Sequence, residues 1–584
     1  MKNPRIVIVD SGISPSSTVG YRVVESYKAV ENGKSGWDLI KIACEDFVGH
    51  GTAVANIMYD VNPNIDIINI QICQNDLIVD EAGLIYVLNF INQNLDIDLV
   101  NISAGITYLT EFKMLDEICQ TLISKGVYIV SAFDNDGAIS FPAAVDSVIG
   151  VDVEKDYENK NDVILVENGI VNFLVADRYY RTEWLNKKTI IKGTSFACAY
   201  ITGLISLVIK NDFFSPEKIS NKKYSFPIKQ EISKPEFKIK KAIMFPCNKE
   251  VHSLLRFRGE LGFEIIGVYD ERLSGKVGQE MFGIKIESYD CINWEDESFD
   301  TIIFSCSSEL SKLTKKNYKN EILDNAKVFK KNIYSFENLG ESSGTIFYPC
   351  LKPEFAARGN NLKLYKPIIP VVGIFGTSSK QGKYTLLKKI IKELSSYGYD
   401  VGEIATEPSG YLFDSDFVFH FGYGSEIKLQ PWEFISILNE MSWKVQLNAR
   451  DILVTSCQSG ISHYNNSNIN EFGILQHLFF LGTLPDVMIL CVNPHDDFDY
   501  IQKSINFLNS IDEGKVIALS VFPVKAVATM SGIGYKTTEI GEKEMMEIKE
   551  SMTKEFNIPV FSMNENAKEL CSIIINEFSS TEES

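Results

Sequence analysis

The sequence predicts an α/β protein that contains several parallel sheets. Short apolar runs of strand type alternate with amphipathic stretches of helical period, as in chains where helices connect parallel strands. Glycine turns come directly after several of these strands. The chain has 584 residues, which is too long for one hydrophobic core, so we expect three or four domains.

The composition argues against several functional classes. With 45% hydrophobic and 23% charged residues the chain is typical of soluble globular proteins. The net charge of -20 disfavours nucleic acid and anionic membranes as partners. The 11 cysteines are scattered without metal-ligand spacing, which predicts reduced thiols and no metal site. No signal-peptide core precedes Asp10 and no apolar run has membrane-spanning length, so we expect a cytoplasmic protein without a pro-segment.

Residues 193–197 read G-T-S-F-A and lead into an apolar stretch of small residues. This pattern predicts that Ser195 lies at a helix N-terminus, where free N–H groups favour developing negative charge. Ser and Thr are also common helix caps, so the motif alone leaves a purely structural role open.

Two upstream motifs favour a nucleophilic role for Ser195. Asp10 ends a buried strand and begins D-S-G-I, and His50 begins H-G-T after a glycine. Asp, His and Ser in this order supply a carboxylate, a proton acceptor and a hydroxyl nucleophile. Asn135 follows a strand at 126–130, and its amide can donate to an oxyanion.

These ordered motifs resemble the subtilases, the subtilisin-like serine peptidases, over residues 1–212. The resemblance implies a subtilisin-like parallel-sheet domain in which Asp10, His50, Ser195 and Asn135 are catalytic. Residues 100–105, V-N-I-S-A-G, resemble the strand on which this family pairs an extended peptide. The resemblance therefore implies that Ser103, Ala104 and Gly105 bind the substrate.

The chain also departs from the family pattern. Ala199 and Tyr200 stand where Pro-His is usual, and Phe133 and Asp134 replace smaller residues before Asn135. Because all four chemical groups are retained, we expect altered specificity rather than loss of activity.

Residues 213–239 contain several prolines and lysines and are predicted to be an exposed linker. Residues 240–345 are predicted to form a small Rossmann-like domain. The predicted strands are 241–245, 264–270, 301–306 and 328–335. Asp270 ends the second of these strands. The first turn, at 246–250, lacks the glycine fingerprint of dinucleotide sites, so we expect no dinucleotide there.

Residues 346–584 are predicted to form a P-loop α/β domain. A strand precedes G-T-S-S-K-Q-G-K-Y-T at 376–385, which is typical of a phosphate-binding loop. The candidate ligand-binding residues are Gly376, Gly382, Lys383 and Thr385. The spacing differs from the strict Walker form, since the hydroxyl of Thr385 comes two residues after Lys383, and a glycine turn without a ligand stays an alternative.

Residues 240–580 resemble a two-domain P-loop family that includes D-glutamate N-acetyltransferases. Members typically have an acid where Ser456 stands, and its absence favours acyl-coenzyme A over ATP with Mg²⁺ as the ligand.

We therefore expect an intracellular subtilisin-like serine endopeptidase that processes a specific peptide. Leader removal in the maturation of ribosomal peptide natural products is the nearest analogy. Proteolysis needs no cofactor, whereas ATP or acyl-coenzyme A is expected at the P-loop. Two alternatives stay open. In the first, the P-loop module is the main enzyme, either an acyltransferase or an ATP-dependent peptide-modifying enzyme, and the peptidase domain assists it. In the second, the first domain is a non-catalytic scaffold that binds peptide.

Overall fold

The computed structural model describes residues 3–33, 36–73, 78–135, 137–209, 214–340, 343–422, 425–464, 467, 472–528 and 535–581. The chain divides into two compact units. The first unit consists of Met1–Lys229 and Ala357–Ile368, and the second of Gln230–Ala356 and Ile369–Ser584. No helix among the described residues is long and apolar enough to cross a bilayer.

The first unit is built on one sheet. Its strands are β1 (Arg5–Asp10), β2 (Val23–Glu31), β3 (Trp37–Lys41), β4 (Asp66–Gln71), β5 (Leu99–Ile102), β6 (Tyr128–Ala132), β7 (Ile149–Glu154), β8 (Val163–Glu167), β9 (Phe173–Ala176) and β12 (Lys222–Ser225), with a separate hairpin of β10 (Tyr180–Trp184) and β11 (Lys187–Ile191). Its helices are α1 (His50–Val61), α2 (Glu81–Asn94), α3 (Phe112–Ser124) and α4 (Thr194–Val208). The strand order is β12-β8-β9-β7-β6-β5-β1-β4-β2-β3, with antiparallel pairing at β2–β3 and β8–β9.

The core of the first unit explains why the middle of its central strand β1 is a continuous apolar run. β1 is covered on both faces, so Ile6, Val7 and Ile8 are all fully buried. Helices α1 and α4 pack against each other, and small side chains such as Ala55 and Ala199 are buried there. This packing brings the N-termini of both helices toward the carboxyl ends of the central strands.

Two predicted boundaries differ from the structure. The predicted linker 213–239 contains β12, which pairs in parallel with β8 and belongs to the first unit up to Lys229. The predicted domain boundary at 212 lies outside the described residues. Residues 357–368, expected in the P-loop domain, belong to the first unit. Local composition identifies irregular segments but does not say onto which sheet they pack.

The described part of the second unit contains two seven-stranded sheets and a two-stranded hairpin. The strands are β13 (Lys241–Phe245), β14 (Glu264–Asp270), β15 (Glu280–Met281), β16 (Ile284–Ser288), β17 (Thr301–Phe304), β18 (Asn332–Ser335), β19 (Ile346–Phe347), β20 (Val371–Gly376), β21 (Val401–Ala405), β22 (Phe417–Val418), β23 (Ile452–Ser456), β24 (Val487–Val492), β25 (Lys515–Val521), β26 (Val524–Ala528), β27 (Tyr535–Glu539) and β28 (Val560–Ser562). The helices are α5 (Lys249–Arg256), α6 (Ser308–Thr314), α7 (Tyr318–Val328), α8 (Lys383–Ser396), α9 (Pro431–Leu447), α10 (Ile474–Thr483), α11 (Phe498–Ile511), α12 (Glu542–Phe556) and α13 (Lys568–Thr581).

The sheet orders are β15-β16-β14-β13-β17-β18-β19 and β22-β21-β23-β20-β24-β25-β28, and β26 pairs with β27. The second of these sheets is parallel at every described pairing. The predicted α/β class with parallel sheets is therefore confirmed. The strand expected at 328–335 begins only at Asn332, because α7 extends to Val328.

Candidate functional site

Asp10 and His50 are hydrogen-bonded at the carboxyl end of β1. His50 is the first residue of α1, and its Nδ1 lies 2.8 Å from Oδ1 and 3.0 Å from Oδ2 of Asp10. Both side chains are buried. Because Nδ1 faces the carboxylate, it carries the hydrogen, and Nε2 is the nitrogen that can accept a proton.

The surroundings of His50 set its basicity. Burial lowers the pKa of His50, but the charge and hydrogen bond of Asp10, with the charge of Asp46, outweigh it and raise this pKa above its usual value. Aromatic rings of Phe196 and Trp184 lie 5.3 Å and 5.8 Å from the imidazole, between ring centroids. His50 is thus held beside a carboxylate in largely apolar surroundings.

Asp46 orders the turn that leads into α1, a role that the sequence analysis missed. Its Oδ1 accepts from the N–H groups of Val48 and Gly49 at 3.0 Å and 2.7 Å, and its Oδ2 accepts from the N–H of Thr52 at 3.0 Å. The N–H of Thr52 lies in the first turn of α1, where a helix leaves N–H groups without an intrahelical partner, and the other two donors precede the helix. An acid shortly before the glycine that opens a helix was the available signal.

Ser195 lies in the first turn of α4 and is buried. Its Oγ donates to the main-chain carbonyl of Ser103 at 2.8 Å. β5 is held against α4 by Asn101, whose Nδ2 donates to Oγ1 of Thr202 at 2.9 Å. The expected nucleophile and the expected substrate-binding segment are therefore in direct contact.

Asn135 contacts the residue before Ser195. Its Oδ1 accepts from both the N–H and the Oγ1 of Thr194, each at 3.1 Å. Because Oδ1 already accepts these hydrogen bonds, Nδ2 is the group of this exposed side chain that can donate to a substrate. This is the group that an oxyanion-stabilising role requires.

The segment expected to bind substrate continues from β5. Ser103 is buried, Ala104 is half-buried and Gly105 is exposed, and the following residue Ile106 forms an antiparallel bridge with Phe141. Main-chain pairing of a peptide with these three residues stays a prediction.

The predicted phosphate-binding loop connects β20 to α8 in the second unit. Lys383 begins α8, is buried, and donates from Nζ to the carbonyl of Ser378 at 2.7 Å. A Cβ on Gly376 would lie 2.8 Å from this Nζ, so a larger residue there would displace the ammonium from its present position. Burial lowers the pKa of Lys383, although nearby acidic groups oppose this. Oγ1 of Thr385 accepts from Arg256 at 3.4 Å.

An acid beside this loop comes from β24 rather than from the position of Ser456. Asp496 follows β24, which neighbours β20, and its Oδ2 accepts from Oγ1 of Thr377 and, at 3.4 Å, from Gln381. The carboxyl ends of parallel strands meet at one edge of the sheet, so an acid after β24 was the available signal. The argument that the missing acid favours acyl-coenzyme A therefore no longer holds.

A second carboxyl group near the loop has altered basicity. Burial and the charge of Glu250 raise the pKa of Glu407 to about 7. Glu407 follows Thr406, whose Oγ1 donates to the carbonyl of Ser456 at 2.9 Å.

Comparisons with known proteins find two different similarities, one to a P-loop family and one to subtilisin-like proteases. Residues 363–571 match the family model described as "Domain of unknown function (DUF1611_C) P-loop domain". A DUF1611 family protein from Anabaena variabilis is 12% identical, with 58% of this chain and 100% of that chain covered and a TM-score of 0.39. No curated protein sequence matches the chain.

The other similarities are to subtilisin-like proteases. A cold adapted subtilisin-like serine proteinase is 21% identical, with 37% of this chain and 80% of that chain covered and a TM-score of 0.31. The epidermin leader peptide processing serine protease from Staphylococcus aureus is 18% identical, with 36% of this chain and 65% of that chain covered and a TM-score of 0.30. The chain is similar to subtilisin-like proteases over about a third of its length and matches the DUF1611 P-loop model over residues 363–571.

Proposed function

We propose that the first unit is a serine endopeptidase in which Ser195 is the nucleophile and His50 the general base. The hydrogen-bonded pair of Asp10 and His50 is the observation that carries this proposal, because it leaves Nε2 of a buried imidazole as the proton acceptor. Ser195 at the N-terminus of α4 and the donor of Asn135 support the same chemistry.

The reaction follows from these groups. The Ser195 hydroxyl turns from the Ser103 carbonyl to His50, gives its proton to Nε2, and its oxygen attacks the scissile carbonyl carbon. Nδ2 of Asn135 donates to the resulting oxyanion. His50 then protonates the leaving amine as the C–N bond breaks. Water, deprotonated by His50, hydrolyses the acyl-enzyme and restores the Ser195 hydroxyl.

The substrate class proposed here is an extended peptide that pairs with the main chain of Ser103, Ala104 and Gly105. Precursor peptides that lose a leader are the substrates to test first, by analogy with leader removal in the maturation of ribosomal peptide natural products. A scaffold that binds peptide without cleaving it is the competing hypothesis for the same segment.

Labelling by a fluorophosphonate tests the proposal without knowledge of the substrate. Attack by the Ser195 oxygen on phosphorus expels fluoride, and the proton passes to His50. We expect covalent labelling of wild type, none of Ser195→Ala, and normal labelling of the matched control Ser124→Ala at the end of α3. Peptide mapping should find the adduct on Ser195. A folded wild type that binds peptide but is never labelled would support the scaffold.

As a second candidate function, we propose that the loop from Gly376 to Thr385 binds a phosphate-bearing ligand. The buried ammonium of Lys383, which is held within the loop, favours this. Gly376 and Gly382 would let the backbone approach the phosphate and Lys383 would neutralise it, while the ligand would supply an acyl or phosphoryl group. Neither ATP nor acyl-coenzyme A is preferred by these residues.

Calorimetric titration separates the alternatives for the loop. ATP with Mg²⁺ and acetyl-coenzyme A are each titrated into wild type, Lys383→Ala and the control Lys392→Ala, which changes an exposed lysine of α8 outside the loop. We expect wild type and the control to bind one of the two ligands and Lys383→Ala to lose that binding. Binding of neither by wild type would identify the loop as a purely structural turn.

A further inference from the structure

The segment Ala357–Ile368, which we call the strap, is hydrogen-bonded into the first unit. The N–H of Ile139 donates to the carbonyl of Leu364 at 2.9 Å, and the N–H of Val171 donates to the carbonyl of Gly359 at 3.3 Å. The first of these contacts lies just beyond the loop that carries the proposed oxyanion donor.

Lys363 of the strap contacts the backbone beside Asn135. Its side chain is 7% exposed, and Nζ lies 3.0 Å from the carbonyl oxygen of Asp134 and 3.3 Å from Oδ2 of Asp152. The N–H of Asp134 donates to Oγ of Ser140 at 2.9 Å. Both main-chain polar groups of the residue before Asn135 are therefore hydrogen-bonded.

Asp152 on β7 accounts for the burial of the Lys363 ammonium. Its side chain is 3% exposed, and Oδ2 also accepts from Nδ2 of Asn361 at 2.8 Å. A buried charge is tolerated when it is paired and hydrogen-bonded, and a buried ion pair has a restricted geometry. The pair thus fixes Nζ at the Asp134 carbonyl.

We propose that Lys363 is a positioning residue for the oxyanion donor Asn135, an inference that rests on the proposed peptidase function. The carbonyl of Asp134 belongs to the peptide group that ends at the nitrogen of Asn135, and this group is planar. Holding that oxygen therefore restricts the orientation of the Asn135 backbone and of the Nδ2 donor that it carries. A displacement of such a group by ~1 Å can cost ~10²-fold in rate.

The test is a double-mutant cycle in the full chain, with the second-order rate of fluorophosphonate labelling at Ser195 as the readout. We expect Lys363→Met to label roughly 10- to 100-fold more slowly than wild type. In the Asn135→Ala background the same substitution should change the rate by less than about threefold, because the donor that Lys363 positions is already absent. Lys366→Met, the same change at an exposed position of the strap, is the matched control and should label within about twofold of wild type.

A second variant distinguishes a loss of positioning from a folding defect. Lys363→Met leaves the Asp152 carboxylate without its cation, whereas Lys363→Met with Asp152→Asn removes both charges and should show the same slow labelling with a cooperative thermal unfolding transition. An equal loss in both Asn135 backgrounds, or unchanged labelling of Lys363→Met, would overturn the positioning role while the peptidase proposal stands. Wild type without labelling would overturn both proposals.

Discussion

Nδ1 of His50 lies within hydrogen-bonding distance of both carboxylate oxygens of Asp10, at 2.8 Å and 3.0 Å. The contact joins the end of β1 to the first turn of α1, so the backbone on both sides of it is part of regular structure. The imidazole therefore has one fixed orientation relative to α4, which starts with Thr194 and Ser195.

Asp10→Asn should keep the fold and lose most of the activity. If the amide oxygen keeps the hydrogen bond that the N–H of Ser11 gives to Oδ1 of Asp10, the amide NH₂ faces Nδ1 of His50. The ring is then held in the tautomer with N–H at Nε2, which cannot accept the proton of Ser195. We expect the rate of fluorophosphonate labelling to fall by ~10⁴-fold, as for the equivalent change in an Asp-His-Ser triad. Circular dichroism should match wild type, and a loss of less than about tenfold would contradict the assigned tautomer.

The pH dependence of labelling should reflect the raised pKa of His50. Only neutral His50 accepts a proton, so activity is full above its pKa and is lost as the pH falls through it. We expect the midpoint of this loss to lie above the ordinary histidine value of about 6.5, measured from labelling rates over pH 5–9. Removing the acidic neighbour in Asp10→Asn should lower the midpoint of the residual activity. A wild-type midpoint below that ordinary value would contradict the electrostatic argument.

Asn135→Ala tests the oxyanion donor directly. The side chain is exposed and bonded through Oδ1 to Thr194, so its removal should alter the thermal midpoint little. The loss of one donor should lower kcat by about 10²–10³-fold with little change in KM. These constants are measured on a peptide substrate that the wild type cleaves. A near-wild-type kcat would assign the oxyanion to another donor.

The second unit contains a buried ion pair between Lys388 and Glu403. Nζ of Lys388 lies 2.8 Å from Oε2 of Glu403, and their side chains are only 5% and 6% exposed. Lys388→Met leaves an uncompensated carboxylate and should lower the free energy of unfolding by about 3–5 kcal/mol, measured by urea denaturation. Adding Glu403→Gln should restore much of this loss. A double variant no more stable than Lys388→Met would show that packing rather than charge is responsible.

How far the sequence predicts the site depends on the range of the contacts. The motifs around Asp10, His50 and Ser195 are local, since each combines a strand or helix end with a glycine turn, and the predicted elements are present. Lys363 had no such signal, because its contact with Asp134 spans 229 residues of sequence and no local pattern says which sheet a segment joins. Asp496 was missed for a related reason. The position of the preceding strand β24 next to β20 is a property of the sheet order, which no local pattern shows.

The strap also has a consequence for the order in which the protein is made. The ribosome completes Met1–Lys229 first and must then synthesise residues 230–356 before the strap exists. At roughly 5–20 residues per second this delay is on the order of ten seconds. During that time the nascent first unit has the elements that carry Asp10, His50 and Ser195 but lacks the cation that holds the Asp134 carbonyl. Its maturation is therefore timed by translation of the segment that follows it.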